Sequence, residues 1–536
     1  MTRYLLAAEA DKIQDFIFHS SRLREVVGGS QLLTRFCEDV PSYLLQQCGG
    51  DPERDIIIKD GGGLRVLFDY KEAAESFGER LAEVYRRATG SSLTLAEPVE
   101  VKGCFEQASK EAEKKLQQAK LWQKNWQSQE QLPHMALCAS CGTGLAVSHR
   151  AYYQNEEKQY FCVYCLNKGA EQKKGLGSFL AGFFREVVGE EGLLQADWPG
   201  KKKRRERSEE DQLEDIADYD PRRYVAYLLA DGNDMGRIFD KCNSEQMREL
   251  SEGLTREIRR ALAEPTKRIM EKNQLDDRSG FIPVLPLILG GDDLFALLPA
   301  PWALDFARCF CREYESRMAA EFNRIGLHEV VPTISAAVIV CKYTHPYTLA
   351  RTVGEGRLKE AKRFCKQRIF DGGQPCSAVN FEVARGGQLV SEPVNGEVRP
   401  TLRPYCLNDD ADDCGLSLQR LLEQRWELRS VPNKRLAELQ DLYDVDSVKA
   451  LRDPDQLALW QGKLERLVRR FELRSKDQGK VLRTTLRLLG GDEGDYWRKV
   501  DRYPDQIWYG HGLPDLLNAW DFALSLEKSQ REYEEG

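Results

Sequence analysis

Short apolar runs and longer stretches with helical spacing alternate along this chain. Runs of strand length lie at 4–10, 284–289 and 331–340. The helix predicted over 244–263 carries apolar residues three and four positions apart, at Met247, Leu250, Leu254, Ile258 and Leu262. From residue 413 onward, leucine and tryptophan recur at such spacings, which predicts helices throughout. The alternation of strands and helices predicts an α+β fold.

Two apolar runs flank Gly290-Gly291-Asp292-Asp293, and this arrangement predicts a β-hairpin. Glycine adopts positive φ without strain, so the two glycines suit a tight turn. The turn would hold two adjacent carboxylates at its tip, although like charges repel each other. A divalent cation explains their placement, because Mg²⁺ binds one or two carboxylates together with phosphate oxygens. A surface hairpin with polar turn residues is the alternative, and the motif alone leaves both open.

Another apolar strand, 224–230, ends at Asp231, and the chain then turns through Gly232 toward a helix. Palm-type nucleotidyl polymerases and cyclases need a carboxylate at one strand end and others on a neighbouring hairpin, which together hold two metal ions. Asp231, Asp292 and Asp293 are therefore the predicted catalytic residues and the predicted ligands of Mg or Mn. Asp231 alone would also suit a helix N-cap, but the hairpin favours the metal site.

The beginning of the chain is similar to this region, which indicates an internal repeat. Residues 4–18 align with 224–239, and this alignment places Asp11 on Asp231. Farther on, three glycines at 61–63 match the hairpin turn, but no aspartates follow them. The chain is thus predicted to hold two copies of one fold, the first without the acidic pair. Coincidental similarity between two short strand–helix units is the alternative.

Four of the fifteen cysteines form two Cys-x-x-Cys pairs, at Cys138, Cys141, Cys162 and Cys165. The 20 residues between the pairs, 142–161, give a spacing that suits one tetrahedral structural zinc ion. Four thiolates leave no open coordination position, so this zinc is predicted to stabilise the fold rather than to catalyse. His134 and His149 lie close in sequence and could compete as ligands.

Composition and charge limit the possible partners and locations. The chain of 536 residues has 78 basic and 86 acidic residues and a net charge of −8, so contact with nucleic acid would need local patches. The basic run at 201–207 passes directly into acidic residues, which is typical of a solvated loop, with a nucleic acid or partner contact as the alternative. The chain contains no run of 18 apolar residues, and this argues against a membrane span. An odd number of mostly single cysteines and a start without signal-peptide features favour the cytoplasm.

These features predict two ferredoxin-like palm domains of the nucleotidyl cyclase or polymerase type, with a zinc-binding segment and a C-terminal helical bundle. The predicted boundaries are 1–103 for the first palm, 104–215 for the helical and zinc-binding segment, 216–412 for the second, catalytic palm, and 413–536 for the helical domain. Within the first palm, a turn at 24–31 is predicted to lead into a helix over 30–47.

Contacts with a nucleotide are predicted in the second palm at Gly290, Gly291, Ser335 and Lys362. Lys362 could reach triphosphate oxygens as a point charge. An exposed lysine near the negative end of a helix dipole is an equally good interpretation. The purine pocket cannot be located from the sequence.

The motifs, in this order, resemble those of the polymerase-like large subunit of type III CRISPR effector complexes. The similarity covers essentially the whole chain and includes 13–18, 28–33, the paired cysteines, 231–236, 290–293 and Ala361-Lys362. It implies synthesis of cyclic oligoadenylates from ATP with divalent metal when the complex binds target RNA. It also implies other subunits of the complex and guide RNA as partners. Many family members begin with an HD nuclease domain, but none of the six histidines here is followed by Asp, so a form without that domain is expected.

Two other functions stay open. A diguanylate-cyclase-like or other cyclic nucleotide synthase working alone would share the Gly-Gly hairpin. Those cyclases usually carry Glu-Phe after the first acid, where this chain has Asp293-Leu294. A catalytically silent scaffold subunit is the third possibility, and the intact acidic trio argues against it.

Overall fold

The structure of the protein, a computed structural model, describes most of the chain. The described residues are 3–20, 22–122, 134–151, 157–174, 176–200, 211–273, 280–384, 401–407, 416–443, 454–490, 498–503 and 506–528. The basic run at 201–207 lies outside them.

The first sheet is antiparallel and has the strand at the start of the chain in its interior. Its members are β1 (Arg3–Ala10), β2 (Ile56–Ile58), β3 (Gly63–Phe68), β4 (Leu93–Leu95) and β5 (Val99–Val101). β3 pairs along most of β1, β4 and β5 pair with the two ends of β1, and β2 pairs with β3. Four consecutive residues of β1, 5–8, are buried, as expected for a strand covered on both faces.

The helices of the first palm are α1 (Ile13–Phe18), α2 (Leu23–Gln47), α3 (Pro52–Asp55), α4 (Lys71–Thr89) and α5 (Phe105–Trp122). The predicted turn at 24–31 is wrong, because α2 runs through it without interruption. Position 28, inside this helix, is occupied by glycine because any Cβ there would stand 2.0 Å from the carbonyl oxygen of Lys168. The glycine thus permits close helix packing rather than a turn.

Lys168 belongs to the segment between the palms. Its elements are β6 (Ser148–Arg150), β7 (Gln159–Phe161), α6 (Val163–Lys173), α7 (Ser178–Gln195) and α8 (Asp211–Ala217). β6 and β7 form a small antiparallel hairpin, and α6 packs on α2. The buried ammonium of Lys168 donates to the carbonyl of Phe16 and lies 4.3 Å from the centre of its ring. The segment is thereby attached to the helix that follows β1.

The second palm contains a larger sheet with β8 near its middle. Its strands are β8 (Tyr224–Gly232), β9 (Leu285–Gly290), β10 (Asp293–Pro299), β11 (Ile334–Lys342), β12 (Ala378–Val383) and β13 (Tyr405–Cys406). The order across the sheet is β13-β12-β11-β8-β10-β9, and only β11 and β12 run parallel. Its helices are α9 (Met235–Phe239), α10 (Ser244–Asn273), α11 (Ala303–Arg324) and α12 (Tyr347–Phe370).

The C-terminal region is mainly but not wholly helical. Its described elements are α13 (Leu418–Glu427), α14 (Asn433–Leu442), α15 (Pro454–Arg474), α16 (Lys476–Gly490), β14 (Arg498–Tyr503), β15 (Gln506–Gly510) and α17 (Gly512–Asn518). The prediction of helices throughout is wrong at β14 and β15, which pair antiparallel. Ile507, Trp508 and Tyr509 are strong strand formers and favour this hairpin.

The two palms pack directly on each other. Ser30 of α2 donates a hydrogen bond to the carbonyl of Leu287 in β9. On α12, Arg351 Nη2 donates to Gln14 Oε1 over 2.8 Å. The Gly28–Gln31 stretch of α2 therefore touches both the middle segment and the strand that leads to the Gly-Gly-Asp-Asp hairpin.

Among the described residues, no helix combines the length and the apolar composition that crossing a membrane requires.

Candidate functional site

The strand β8 brings Asp231 to the end of the second sheet. Ala230 pairs with Leu294 in β10, so the next position in the ladder places Asp231 beside Asp293. On its other side, β8 pairs with β11 so that Asp231 lies opposite Ser335. The register therefore gathers residues from three strands at one end of the sheet.

The β9–β10 hairpin brings the second and third carboxylates to the same place. Gly290 pairs with Asp293, so Gly291 and Asp292 are the two central residues of the turn. Gly291 has a φ of 59°, which glycine adopts without strain and which a type II′ turn requires at its first central position. The predicted hairpin is thus present, with both aspartates at its tip.

Close packing around Gly232 fixes the position of Asp292. A Cβ on residue 232 would stand 2.8 Å from Met235 Cγ and 3.0 Å from both Asp292 Cβ and Tyr314 Oη. A Cβ here would be crowded on three sides, so its neighbours would have to shift, whereas glycine leaves room for all three side chains. Asp234, the N-cap of α9, has a φ of 54° and completes this tight strand-to-helix turn.

The carboxyl groups are poorly hydrated and repel one another. Burial is the largest cause that raises the pKa of Asp292 to about 7, followed by the charges of Asp231 and Asp293. Burial, then Asp231, raises the pKa of Asp293 to about 6. Asp293 is exposed to solvent at the tip, whereas Asp292 is half-buried, so the shift at Asp292 carries more weight. Three ionised acids here need a compensating positive charge.

Lys362 supplies part of this charge. Its ammonium forms an ion pair with Asp231, and both side chains are about three-quarters buried, with 28% and 26% of their surface exposed. Its charge also lowers the pKa values of Asp292 and Asp293, opposing the larger upward effects. Lys362 is therefore part of the acidic site rather than an isolated surface lysine.

Ser335 is fully buried behind the acids in this conformation. Its hydroxyl donates to Asn233 Oδ1 over 2.8 Å, and Asn233 Nδ2 donates to Thr333 Oγ1 over 3.0 Å. The sequence analysis missed Asn233, which ties the turn after β8 to the beginning of β11. A direct contact of Ser335 with a nucleotide stays a prediction.

The first palm has the same architecture but a different set of side chains. Gly63 N donates to Asp60 O over 3.0 Å, so the turn spans Asp60–Gly63, with Gly61 and Gly62 both at positive φ. Gly62 thus replaces Asp292 at a position where φ is 79°, a conformation that aspartate adopts with strain. Asp60 Oδ1 in turn lies 3.5 Å from where a Cβ of Gly290 would stand, so the two hairpin tips are adjacent.

The predicted equivalence of Asp11 and Asp231 is wrong by two residues. In the first sheet Glu9 pairs with Gly63, and in the second sheet Asp231 lies beside Asp293. Gly63 and Asp293 hold the same position after their turns, so Glu9 is the structural equivalent of Asp231. Asp11 instead accepts hydrogen bonds from the hydroxyls of Ser92 and Thr94, with oxygen–oxygen distances of 2.7–2.8 Å.

The four cysteines of the middle segment form a second candidate metal centre. The sulfur atoms of Cys138, Cys141, Cys162 and Cys165 all lie within 4.8 Å of one another. In the described residues, this is the only group of three or more potential ligands that is so tight, so the three aspartates are spaced more widely. The thiols can hold one metal ion, as the sequence predicted.

The surroundings of the thiols fit a closed structural site. The pKa of Cys141 is lowered because the other three thiols, Cys138 first, hydrogen-bond to it. Gly144 N also donates to Cys141 Sγ over 3.3 Å. His149 stacks on Tyr160 with ring centres 4.3 Å apart and does not belong to the group of ligands. Backbone donors to the cysteine sulfur atoms are typical of structural zinc sites.

Comparison with known proteins identifies the class of fold. The family model described as Cas10/Cmr2, second palm domain, matches residues 224–369, which include all three aspartates and Lys362. None of the curated proteins matches the sequence significantly.

Solved structures of a Csm1–Csm4 cassette are similar over most of the chain. The complex with AMPPNP has a TM-score of 0.50 at 15% identity and covers 97% of this chain and 69% of its own. The apo cassette has a TM-score of 0.50 at 16% identity and covers 90% and 70%. The complex with cA4 has a TM-score of 0.49 at 15% identity, and the match covers 85% of this chain and 63% of the Csm1–Csm4 chain. This chain thus spans 63% to 70% of the length of the chains to which it is similar.

The fold is that of a palm-type protein with two palm domains and a four-cysteine segment. More particularly, residues 224–369 match the second palm domain of Cas10/Cmr2, and the predicted resemblance of the chain to the large subunit of type III CRISPR effector complexes is confirmed.

Proposed function

We propose that this chain is a metal-dependent nucleotidyltransferase that makes cyclic oligoadenylates from ATP within a type III RNA-guided effector complex. The observation that carries the proposal is the meeting of Asp231, Asp292 and Asp293 at one end of β8 and β10, with the pKa of Asp292 raised to about 7. Carboxylates that are desolvated and mutually repelling favour a divalent cation.

Asp231, Asp292 and Asp293 would hold Mg or Mn. Bound there, two such ions would activate a 3′-hydroxyl and neutralise charge on the triphosphate. In the reaction, the 3′-oxygen bonds to an α-phosphorus, the bond to the β-phosphate oxygen breaks, and pyrophosphate leaves.

Lys362 and the hairpin glycines would position the triphosphate. Lys362 already lies against Asp231, so its ammonium is within reach of phosphate oxygens bound to the same metal site. Gly290 and Gly291 carry no side chains and leave the turn open to a ligand. Ser335 would contribute through Asn233, to which it is hydrogen-bonded.

The partners follow from the similar structures, which contain Csm1 together with Csm4 and, in separate crystals, AMPPNP or cA4. We extend these to the present chain as ATP, a cyclic oligoadenylate product and a Csm4-like subunit, with guide and target RNA reached through the complex. Zinc is the proposed ion for the four cysteines. Thirteen cysteines in the described part of the chain are free thiols, which fits a reducing cytoplasm. Cys406, in contrast, takes part in a disulfide, which the prediction of reduced thiols did not anticipate.

The test is incubation of the chain with labelled ATP and Mn²⁺, alone and with its complex partners and target RNA. We expect pyrophosphate release and cyclic adenylate products, and loss of both in Asp292→Asn with Asp293→Asn. Glu9→Gln is the matched control, because Glu9 occupies the equivalent ladder position in the first palm without hairpin acids. Its products should equal those of the wild type.

The alternatives give different results in the same assay. Products from GTP in place of ATP would indicate a diguanylate-cyclase-like enzyme. A chain that makes no product under any condition, but still assembles with its partners, would be a silent scaffold.

A further inference from the structure

Tyr314 on α11 is a buried residue whose polar atom lies at the acidic site. Its side chain is fully buried, and its hydroxyl has no hydrogen-bond partner among the described residues. A buried hydroxyl without a partner destabilises a fold. The hydroxyl is therefore available as a hydrogen-bond donor to a group of the site.

The surroundings of this hydroxyl indicate what that use is. Tyr314 Oη and Asp292 Cβ both lie 3.0 Å from the point where a Cβ of Gly232 would stand. The hydroxyl thus lies beside Gly232, at the end of β8 and close to Asp292. Burial first, and then the negative charges of Asp292 and Asp231, raise the pKa of Tyr314 well above its ordinary value. The hydroxyl therefore keeps its proton and can donate it in a hydrogen bond.

We propose that Tyr314 is a positioning residue whose hydroxyl donates to the carboxylate of Asp292 when that group is ionised and binds metal. Ligating carboxylates are generally oriented by a hydrogen bond from a neighbouring group, and removing such a partner commonly weakens metal binding by about 10- to 100-fold. The inference rests on the proposed function, because it requires that Asp292 binds a metal ion.

Tyr227 offers a matched control within the same domain. It too is a fully buried tyrosine whose hydroxyl has no partner among the described residues. Its ring stacks on Phe295 with centres 5.7 Å apart. The groups that act on its pKa besides burial are Cys341 and Tyr347, and none of the three aspartates is among them. Tyr227→Phe therefore removes an equivalent hydroxyl away from the site.

The experiment measures Mn²⁺ binding to the full chain without nucleotide, from the electron paramagnetic resonance signal of free Mn²⁺. A buffer of about pH 8 lies far above the ordinary pKa of aspartate, so protons compete little with Mn²⁺ for the carboxylates. We expect Tyr314→Phe to weaken binding by about tenfold or more. Tyr227→Phe should leave binding unchanged, and both variants should keep the metal-free melting temperature or raise it slightly.

The outcomes separate this inference from the proposed function. Equal Mn²⁺ affinity in Tyr314→Phe and the wild type overturns the positioning role, and so does equal weakening in both tyrosine variants, which would indicate a general packing effect. If the wild type binds no Mn²⁺, or if Asp292→Asn binds as much Mn²⁺ as the wild type, the proposed metal site is wrong, and this inference is wrong with it.

Discussion

Glu9 in the first palm and Asp231 in the second hold equivalent ladder positions, and each is ion-paired with a lysine. Glu9 pairs with Lys120 of α5 at 2.6 Å, and Asp231 pairs with Lys362 of α12. Both repeats thus combine one acid at the strand end with one lysine. What distinguishes the second palm is the pair of acids on its hairpin, so its capacity for metal chemistry depends on that turn.

Replacing Lys362 by alanine should move metal binding to higher pH. Lys362 lowers the pKa values of Asp292 and Asp293, so its removal raises both. Protons then compete more strongly with metal, and binding below neutral pH falls, on the order of tenfold for each unit by which the pKa rises. The measurement is Mn²⁺ affinity as a function of pH.

Lys366→Ala is the control for this prediction. Lys366 lies one helical turn farther along α12 and is exposed. Its removal should leave the pH profile unchanged. An unaltered profile in Lys362→Ala would contradict the electrostatic role assigned to that lysine.

Relative to Asp292→Asn, the metal-free protein should lose stability as the pH rises from about 4 to about 7. The folded pKa of Asp292 is about 7, whereas an unfolded aspartate titrates near 3.9. In this window the folded state binds more protons than the unfolded state, so stability declines with increasing pH. Compared with the wild type, Asp292→Asn should therefore melt at a higher temperature above pH 7, and the difference should vanish toward pH 4.

Melting curves of both proteins across this pH range test the prediction, with a chelator present. Addition of Mn²⁺ at pH 8 should stabilise the wild type and leave Asp292→Asn much less affected. A wild type that becomes relatively more stable between pH 4 and 7 would show that the carboxyl is not desolvated as described.

Local sequence patterns were sufficient to predict the strand end at Asp231 and the hairpin at Gly290–Asp293. Both depend on apolar runs that stop at glycine, which is a signal contained within a few residues. The alignment of the two repeats failed because it matched the beginnings of the two apolar strands, Tyr4 with Tyr224, whereas the ladder positions match Glu9 with Asp231. The true equivalents within that turn are Lys12 and Asp234, which are both N-caps with φ near 50°.

Features that depend on packing between distant segments could not be predicted. Gly28 and its neighbours suggested a turn, since glycine usually interrupts helices. The reason for Gly28 is the backbone of Lys168, which is 140 positions away in sequence. Tyr314 looked like any apolar position of an amphipathic helix, and only the fold places its hydroxyl next to Asp292.

Gly232→Ala should impair the metal site even though alanine is a small residue. The added Cβ would stand 2.8 Å from Met235 Cγ and 3.0 Å from both Asp292 Cβ and Tyr314 Oη, so these neighbours, Asp292 among them, would have to shift. We expect a loss of Mn²⁺ affinity and of activity of at least about tenfold, because metal ligands tolerate little displacement. Gly236→Ala is the control, since in the described part of the chain no atom beyond its own helix backbone and chain neighbours lies within 4 Å of its Cβ position. Alanine there should leave activity unchanged and stabilise helix α9 by up to about 1 kcal/mol. Similar activity of the two variants would contradict the close packing around Gly232.

Removing the metal from the four cysteines should disturb the contact between the palms as well as the middle segment. Ser140, between Cys138 and Cys141, donates to the buried carboxylate of Glu25 over 3.0 Å. Glu25 also accepts from Ser20 Oγ, and Ser20 O accepts from the hydroxyl of Tyr347 at the start of α12. One chain of hydrogen bonds therefore joins the cysteine loop to the helix that carries Lys362.

Structural zinc contributes on the order of 10 kcal/mol to the folding of small sites, and the four-cysteine segment has only a small apolar core of its own. Treatment with a strong chelator should thus increase proteolytic cleavage first within 134–174 and then at the beginning of α12. Elemental analysis should find one zinc per chain before treatment, and none in Cys141→Ser with Cys162→Ser. Cys242→Ser is the control, because Cys242 is buried far from these thiols in sequence and only donates to the carbonyl of Ile238. Protein purified under reducing conditions without zinc, or cleavage that the chelator does not change, would refute the structural role of the metal. Cleavage confined to 134–174, with α12 still protected, would instead refute only the coupling through Ser140 and Glu25.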